Sequence, residues 1–473
     1  MAHEPRATVW NTVQAVLRGA REGPPLRRYE PAERTGLSEQ QLTFFPLDKD
    51  AGRFHIPVLY RIPAPLDAAV LEASIREIAR RHEILRTIYR VKKKVPSAVL
   101  LPETAIGLEV VDCTPEEARR RIDAERGRNF DLRAGPLVVF QLLRLGPAEH
   151  LLLANFHHSV FDGWSLSVFA RELSALYEAS MAGRPSPLPE PALQYADYAR
   201  WQAEWLQSPA AERQRSYFIE EARAIPMSEA EPWTGAGPVH RHTRVLPPEL
   251  AARVRDLAAE SDATPFMVAL AAFDILLYRA SGRADLTVAS ATAGRPRREL
   301  LDIIGCFINA IVIRTVMRDD FTFDALLARL RRTCSDAFAN GEIPFDDLWR
   351  RLRRVFWPAH VMLMYQNVPA ARLRLAGVEC RQVPVGMAVW DYALMLYLTD
   401  GPDGILCEWY GHHDAFAAED LVTLAEAYET LLRAIADDRQ LAVRDAPSIA
   451  DRDLCRTLAR LLRVRKRGAR RGN

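Results

Sequence analysis

Apolar and polar positions along the chain fall into two successive series of helix-like and strand-like periods. Residues 7–21 place Val9, Val13, Val16 and Leu17 on one helical face, and Gly23-Pro24-Pro25 stops that helix. Phe54 to Ile62 then reads as a strand, and Asp67 to Arg81 as a helix with Val70, Leu71, Ile75 and Ile78 inward. Ile84 to Val91 returns to extended structure before Lys92-Lys93-Lys94. His150 to Phe156 has the apolar density of a buried strand, and Leu166 to Tyr177 is an amphipathic helix. A helical, aromatic-rich bridge from Tyr195 to Phe218 precedes the second series. There Leu250–Ala258 and Pro265–Arg279 read as helices, Leu286–Ala291 and Asn309–Val316 as strands, Phe323–Ala339 as a helix and Val361–Gln366 as a strand. Tyr392 to Trp409 reads as a hairpin turning at Asp400-Gly401-Pro402, and Ala418 to Ala436 as the last long helix. The pattern predicts an α/β (α+β) chain of two lobes, residues 1–205 and 206–473, with a site between them.

A length of 473 residues agrees with that division, because domains usually run to about 100–200 residues. An apolar fraction of 49% and a charged fraction of 26% describe an ordinary globular protein. No run approaches the roughly 20 apolar residues of a membrane span, and the N-terminus lacks a signal-peptide core, so the chain reads as cytoplasmic. The six cysteines form no CxxC pair and are expected to be buried, reduced thiols. Lysine occurs only at positions 49, 92, 93, 94 and 466. The basic tail from Arg460 to Arg471 reads as a solvated terminus in preference to a nucleic-acid arm. No GxGxxG follows a strand and no P-loop occurs, so no nucleotide or redox cofactor is expected.

The residues with chemistry in them lie between the strand at 150–156 and the helix at 166–177: His157-His158-Ser159-Val160-Phe161-Asp162-Gly163. Gly163 is expected to take a positive φ, and Ser165 to cap the helix. Imidazole has an unperturbed pKa of about 6.5, so it can take and return a proton near neutrality. That property suits acyl transfer, where an attacking amine or hydroxyl sheds a proton as its bond to the acyl carbon forms. A backbone N–H at Gly163 is placed to support the oxyanion. Asp162 fits two roles equally, acid/base group or salt-bridged support for the turn. Two His and an Asp are also a cation-binding set.

Eight further segments bear on that choice. They are Leu37-Ser38-Glu39-Gln40-Gln41, Arg81-His82-Glu83-Ile84-Leu85-Arg86-Thr87, and Phe130-Asp131-Leu132 with Gly135-Pro136-Leu137. Tyr195-Ala196-Asp197-Tyr198 with Trp201-Gln202, Ala293-Gly294-Arg295-Pro296 and Ile304-Gly305-Cys306-Phe307-Ile308-Asn309 follow. Ile343-Pro344-Phe345-Asp346 and Gln366-Asn367-Val368-Pro369 complete the series. In content and order the chain resembles the condensation domains of nonribosomal peptide synthetases, within the chloramphenicol acetyltransferase-like superfamily, over roughly residues 35–440. The resemblance implies two similar lobes in a V-shaped pseudo-dimer, with the site in a tunnel entered from both faces by phosphopantetheine arms. It implies that His158 is the catalytic base or orienting group, that His157 is mainly structural, and that Asp162 pairs with Arg295. The Gly163 backbone would face the reaction centre, with Asn309, Trp164 and Ser165 lining or bracing the tunnel. Arg81, His82 and Arg86 would form a lobe-stabilising network.

Heterocyclising relatives carry Asp in place of both histidines, and epimerising relatives a Glu-Gly-His-type motif in the second lobe. Here both histidines stand, and Thr292-Ala293-Gly294-Arg295 occupies the second position. Condensation to an amide or ester is therefore expected. Nothing in the sequence resembles an adenylation or carrier domain, so the chain reads as free-standing, or else excised from a larger protein, and the partners expected are carrier proteins in trans, with a carrier-bound or free amine or alcohol as acceptor. Tyr365, Gln366, Asn367 and Trp390 are the expected acceptor-side residues. Two other readings remain: an acyl-CoA-dependent acyltransferase of the same superfamily, and a non-catalytic module that docks carriers or recruits other enzymes. No cofactor or metal held by the chain itself is expected.

Overall fold

A computed structural model describes residues 23–34, 36–47, 54–93, 95–224, 239–352, 360–366, 371–386, 392–401 and 403–462. The expected helix over 7–21, Asn367, Trp390 and the tail beyond 462 lie outside the described residues. In chain order the first half runs α1 (Glu39–Leu47), β1 (His55–Ile62), α2 (Ala68–Arg81), β2 (Thr87–Lys92), β3 (Val95–Leu100), β4 (Glu109–Asp112) and α3 (Pro115–Arg126). It continues with β5 (Val138–Gly146), β6 (Glu149–His157), α4 (Gly163–Met181), α5 (Tyr195–Trp205) and α6 (Pro209–Ala224). The second half runs β7 (Val239–Leu246), α7 (Pro248–Glu260), α8 (Pro265–Ser281), β8 (Asp285–Thr292), β9 (Asn309–Val316), α9 (Phe323–Ala339) and α10 (Phe345–Arg351). Then follow β10 (Val361–Gln366), β11 (Leu373–Leu375), β12 (Val378–Val383), β13 (Leu394–Gly401), β14 (Gly404–His412), α11 (Ala418–Asp437) and α12 (Arg452–Leu461).

Two six-stranded sheets organise these elements, β11-β12-β1-β6-β5-β4 and β7-β14-β13-β10-β8-β9, and β2-β3 stand apart as a hairpin. The chain is mixed α/β, as its periodicity predicts. In the first sheet β6 alternates: Leu152, Ala154 and Phe156 enter the core shared with α2 and α4. Asn155 faces the other way, where its Nδ2 donates to the Glu125 carbonyl (2.9 Å) and carboxylate (3.0 Å) of α3. α2 begins where the Asp67 side chain accepts from Ala69 N and Val70 N, and buries Leu71, Ile75 and Ile78. The expected extended run over 84–91 opens instead with a 3-10 turn, Glu83–Arg86, before β2.

Strands β11 and β12 come from the second half of the chain yet complete the first sheet. Leu59, Tyr60 and Arg61 of β1 pair with Val383, Gln382 and Arg381, and Tyr60 Oη donates to the Ala371 carbonyl at 3.0 Å. Ile304, Phe307 and Ile343 likewise join the first core. In the second sheet Leu394, Leu396 and Leu398 of β13 point toward the helices, while Met395 points to the opposite face with Ala289, Met362 and Tyr410. α8, capped by Thr264 and ended by Gly282 at φ 66°, is buried along most of its length. No single helix among the described residues is long and apolar enough to cross a membrane. α12 is an addition to the expected elements: its Leu454, Leu458 and Leu461 are buried, but arginines interrupt the run in sequence.

Candidate active site

β6 ends at His157, His158 opens a single 3-10 turn, and α4 starts at Gly163, so the motif is a strand-to-helix corner. His157 Nδ1 accepts from Ser159 N at 3.1 Å and lies 2.8 Å from Ser159 Oγ. Burial, with His158 and His55 beside it, pushes the His157 pKa down to about 3. The neutral ring, with its Nδ1 accepting the Ser159 N–H, braces the corner.

His158 is 5% exposed. Its backbone N–H donates to the Phe54 carbonyl at 2.8 Å, which ties the corner to the start of β1. Its ring stacks on Phe44 of α1, with centroids 5.2 Å apart and planes 17° from parallel. Cys306 Sγ lies 3.6 Å from Nδ1. Burial lowers the His158 pKa, opposed by a hydrogen bond to its own backbone, the Asp162 charge and the Phe161 backbone. The ring is therefore neutral near pH 7, as a proton acceptor must be.

Asp162 is fully engaged in holding the lobes together. Its carboxylate accepts from Arg295 Nη2 (2.9 and 3.2 Å), Ser165 N (2.8 Å), Ser165 Oγ (2.7 Å) and Phe307 N (3.0 Å). Asp162, and not Ser165, is the cap of α4, because its carboxylate reaches the orphan N–H of the first turn. Arg295 donates onward to the Leu300 and Ile303 carbonyls (2.7 and 2.8 Å) and lies 3.9 Å over the Phe307 ring. Gly294 has φ 62°, and a Cβ there would stand 1.7 Å from the Phe307 carbonyl oxygen. Only glycine lets these two segments meet. Trp164 Nε1 donates to the Leu301 carbonyl at 2.9 Å, a second tie across the lobes.

Gly163 differs from expectation. It sits in the first turn of α4 and is not among the described residues with positive φ. A Cβ there would lie 3.3 Å from Gln366 Nε2 of β10, a close approach to the end of a flexible side chain. Gln366 thus faces the motif. Tyr365, one step along the same strand, packs against the helix-covered core and directs its hydroxyl to Asp400 Oδ2 at 3.4 Å. Placing both on the acceptor side overlooks the two-residue alternation of a strand. Asn309, expected to line or brace the tunnel, commits its side chain to holding a turn. Its Nδ2 donates to the Gly341 and Ile343 carbonyls (2.9 and 2.7 Å) and its Oδ1 accepts from Phe345 N (2.9 Å). That pins the turn before α10, whose Asp346 accepts from Thr43 of α1, next to Phe44.

Two neighbours of His158, Phe44 and Cys306, are absent from the expected site. The cysteine stands inside a recognised motif, where the composition suggests only an inert thiol, and four of the six cysteines are indeed buried. Arg81 and His82 meet at one carboxylate, while Arg86, expected in the same network, bonds backbone carbonyls apart from it. Glu172 accepts from Arg81 (3.0 and 3.2 Å) and lies 3.1 Å from His82 Nε2. Burial opposes its ionisation, yet His82 and Arg81 hold its pKa at about 2. Arg86 donates to the Ala79 and Leu101 carbonyls. Away from the corner, His412, His413 and Asp414 bring three donor atoms within 4.8 Å, but His413 and Asp414 already pair at 2.8 Å on an exposed turn.

A family model described as "Condensation domain" matches residues 33–453. The chain belongs to the condensation domain family. Its relatives include a linear gramicidin synthase of Brevibacillus parabrevis, 31% identical over 95% of this chain and 6% of that protein. Chondramide synthase cmdD of Chondromyces crocatus is 33% identical over 84% of this chain and 11% of that protein. The chain thus spans about a tenth or less of the length of these synthetases. Among solved structures, the X-domain from teicoplanin biosynthesis superposes with a TM-score of 0.81 at 25% identity, covering 89% of this chain and 99% of that one. The first condensation domain of the calcium-dependent antibiotic synthetase, in complex with a substrate analogue, gives a TM-score of 0.76 at 22% identity, covering 87% and 98%. The two-lobed architecture is that of condensation domains, and the motif corner falls inside the matched region.

Proposed function

We propose that this condensation domain joins an acyl or aminoacyl thioester, carried on the phosphopantetheine arm of a carrier protein, to an amine or hydroxyl acceptor. The observation that carries the reading is His158: a buried imidazole, neutral at pH 7, held where α4, the Cys306 segment and Gln366 of β10 converge. The acceptor nitrogen or oxygen bonds to the thioester carbon while His158 takes its proton. Negative charge gathers on the carbonyl oxygen near the first turn of α4, whose leading amides lack intrahelical partners. The carbon–sulfur bond then breaks, and the leaving thiolate regains the proton from His158. Asp162 and Arg295 hold the corner and carry no proton. The carrier owns the phosphopantetheine, so the reaction asks for no cofactor on this chain.

The likeness to the X-domain, which has been solved in complex with OxyB from teicoplanin biosynthesis, favours a second reading as a recruitment module. One experiment separates the two. Carrier proteins loaded with acyl groups are mixed with amines, alcohols and aminoacyl carriers, and unloading is followed by intact-protein mass spectrometry for wild type and His158→Ala. Condensation predicts a new amide or ester, formed about a hundredfold or more slowly by the variant. Equal rates remove His158 from the chemistry, and carrier binding without turnover in either protein favours recruitment. Turnover of free acyl-CoA without a carrier would move the chain to the CoA-dependent acyltransferases.

A further inference from the structure

The β2–β3 hairpin belongs to neither six-stranded sheet. Four of the nine large apolar side chains exposed among the described residues lie on it: Val91 (43%), Val95 (64%), Val99 (39%) and Leu100 (48%). Residues 87–100 also hold four basic and no acidic side chains, including three of the five lysines, in a chain whose net charge is only +2. Arg90 and Lys93 are exposed and have no acidic partner among the described residues. Lys93 takes a φ of 52°, a left-handed conformation that glycine or asparagine adopts more readily.

The root of this hairpin touches the catalytic corner. Tyr89 of β2 donates from Oη to the Ser159 carbonyl at 3.2 Å, one residue beyond His158, and its N–H donates to the Leu132 carbonyl at 2.8 Å. Lys92 ends β2 three residues further on, about 10 Å along the strand. A protein held at the tip would therefore stand beside the loop that presents His158.

We propose that the β2–β3 hairpin is a docking surface for the acidic face of the carrier protein. The proposal rests on the condensation reading above. The opposite charge of an acidic face complements Arg90 and Lys93, and an apolar edge on the partner covers Val95 and Val99. Lysines also guard exposed strand edges against aggregation. That role accounts for the charge but not for Val95 and Val99, which the strand pairing places with Arg90 on one face of the hairpin, Val91 and Leu100 standing on the other. A nucleic acid would use the charge and leave the valines uncovered.

The test compares wild type with Arg90→Glu/Lys93→Glu and, separately, Val95→Asp. Each is given an acetyl group on a peptidyl carrier protein, or the same group on N-acetylcysteamine, with one fixed amine or alcohol acceptor identified in the unloading assay. Docking predicts that KM for the carrier-borne donor rises about tenfold or more in both variants, while kcat/KM for the small thioester changes less than about twofold and thermal unfolding is unmoved. An unchanged carrier KM overturns the proposal. Fluorescence anisotropy of labelled holo-carrier judges docking without turnover: binding that weakens in the variants upholds it even where the condensation reading fails. Wild type that does not bind the carrier overturns it, as does loss of binding only to vesicles of anionic phospholipid.

Discussion

Replacing Arg295 by alanine leaves the Asp162 carboxylate buried without its counter-charge. The side chains are 1% and 3% exposed, so water cannot take over the lost contacts, and no other cation reaches Asp162 among the described residues. Removing one partner of such a pair costs about 3–5 kcal/mol. The Leu300 and Ile303 carbonyls lose a donor in the same step, which places this site at the upper end of that range. The double substitution Asp162→Asn/Arg295→Met removes both charges and keeps side-chain volume near the original. Replacing a whole buried pair is often close to neutral. The pair should therefore show a coupling of about 2 kcal/mol or more. Urea unfolding followed by tryptophan fluorescence measures wild type, Arg295→Ala, the single variants Asp162→Asn and Arg295→Met, and their double, which closes the cycle. An Arg295→Ala loss below about 1 kcal/mol, or additive effects in the double variant, would refute the account of Asp162–Arg295 as the tie between lobes. Activity provides an independent check. If Asp162 carried a proton, Asp162→Asn would delete one limb of the pH–rate profile. As a structural tie it lowers rate and stability together and leaves the limbs in place.

What the sequence discloses depends on how local the determinant is. Asn309–Val316, Phe323–Ala339 and Val361–Gln366 are legible to the residue because each is a strongly apolar or periodic run between clear breaks. β11 and β12 are not, since Leu373–Leu375 has only three residues and Val378–Val383 is mostly polar. They gain their hydrogen bonds by crossing to a sheet formed some 310 residues earlier, a distance visible in the Tyr60–Ala371 contact. At the site, the corner from His157 to Gly163 is local and can be read directly. Phe44 cannot, because α1 is brought to His158 by tertiary contacts distant in sequence, among them Thr43–Asp346, Glu39–Gln202 and Gln41–Tyr89. Cys306 is visible in its motif, but a thiol's relation to an imidazole is set by tertiary approach and leaves no spacing signal. Tyr365 is the opposite case: the alternation that excludes it from the site is present in the sequence, and it separates Tyr365 from Gln366 without any coordinates.

Two further substitutions test the remaining electrostatics and packing. Asp274 is wholly buried in α8, and burial pushes its carboxyl up to about 7 although Thr315 opposes the shift. The folded state therefore holds a proton that the unfolded chain releases near pH 4. Its contribution to stability is complete below that value and lost as pH rises through about 7, on the order of 4 kcal/mol. Asp274→Asn should remove this dependence, and an equal fall in urea midpoint between pH 5 and pH 8 in both proteins would assign it elsewhere. Gly163→Ala gives effects of opposite sign. Alanine favours a helix over glycine by up to about 1 kcal/mol, and the atom its Cβ meets at 3.3 Å is the mobile end of Gln366, so stability should hold or rise slightly. The same methyl group narrows the space between α4 and β10 where the reacting carbonyl is proposed to sit. Displacements of this kind cost roughly ten- to a hundredfold in rate. Trimming the neighbour in Gly163→Ala/Gln366→Ala should restore a large part of the loss, because the added methyl acts through space and not through backbone conformation. If the single variant stays fully active, the gap facing Gln366 is not where the chemistry occurs. If it instead unfolds, the glycine is needed for a conformation that the first turn of α4 does not display.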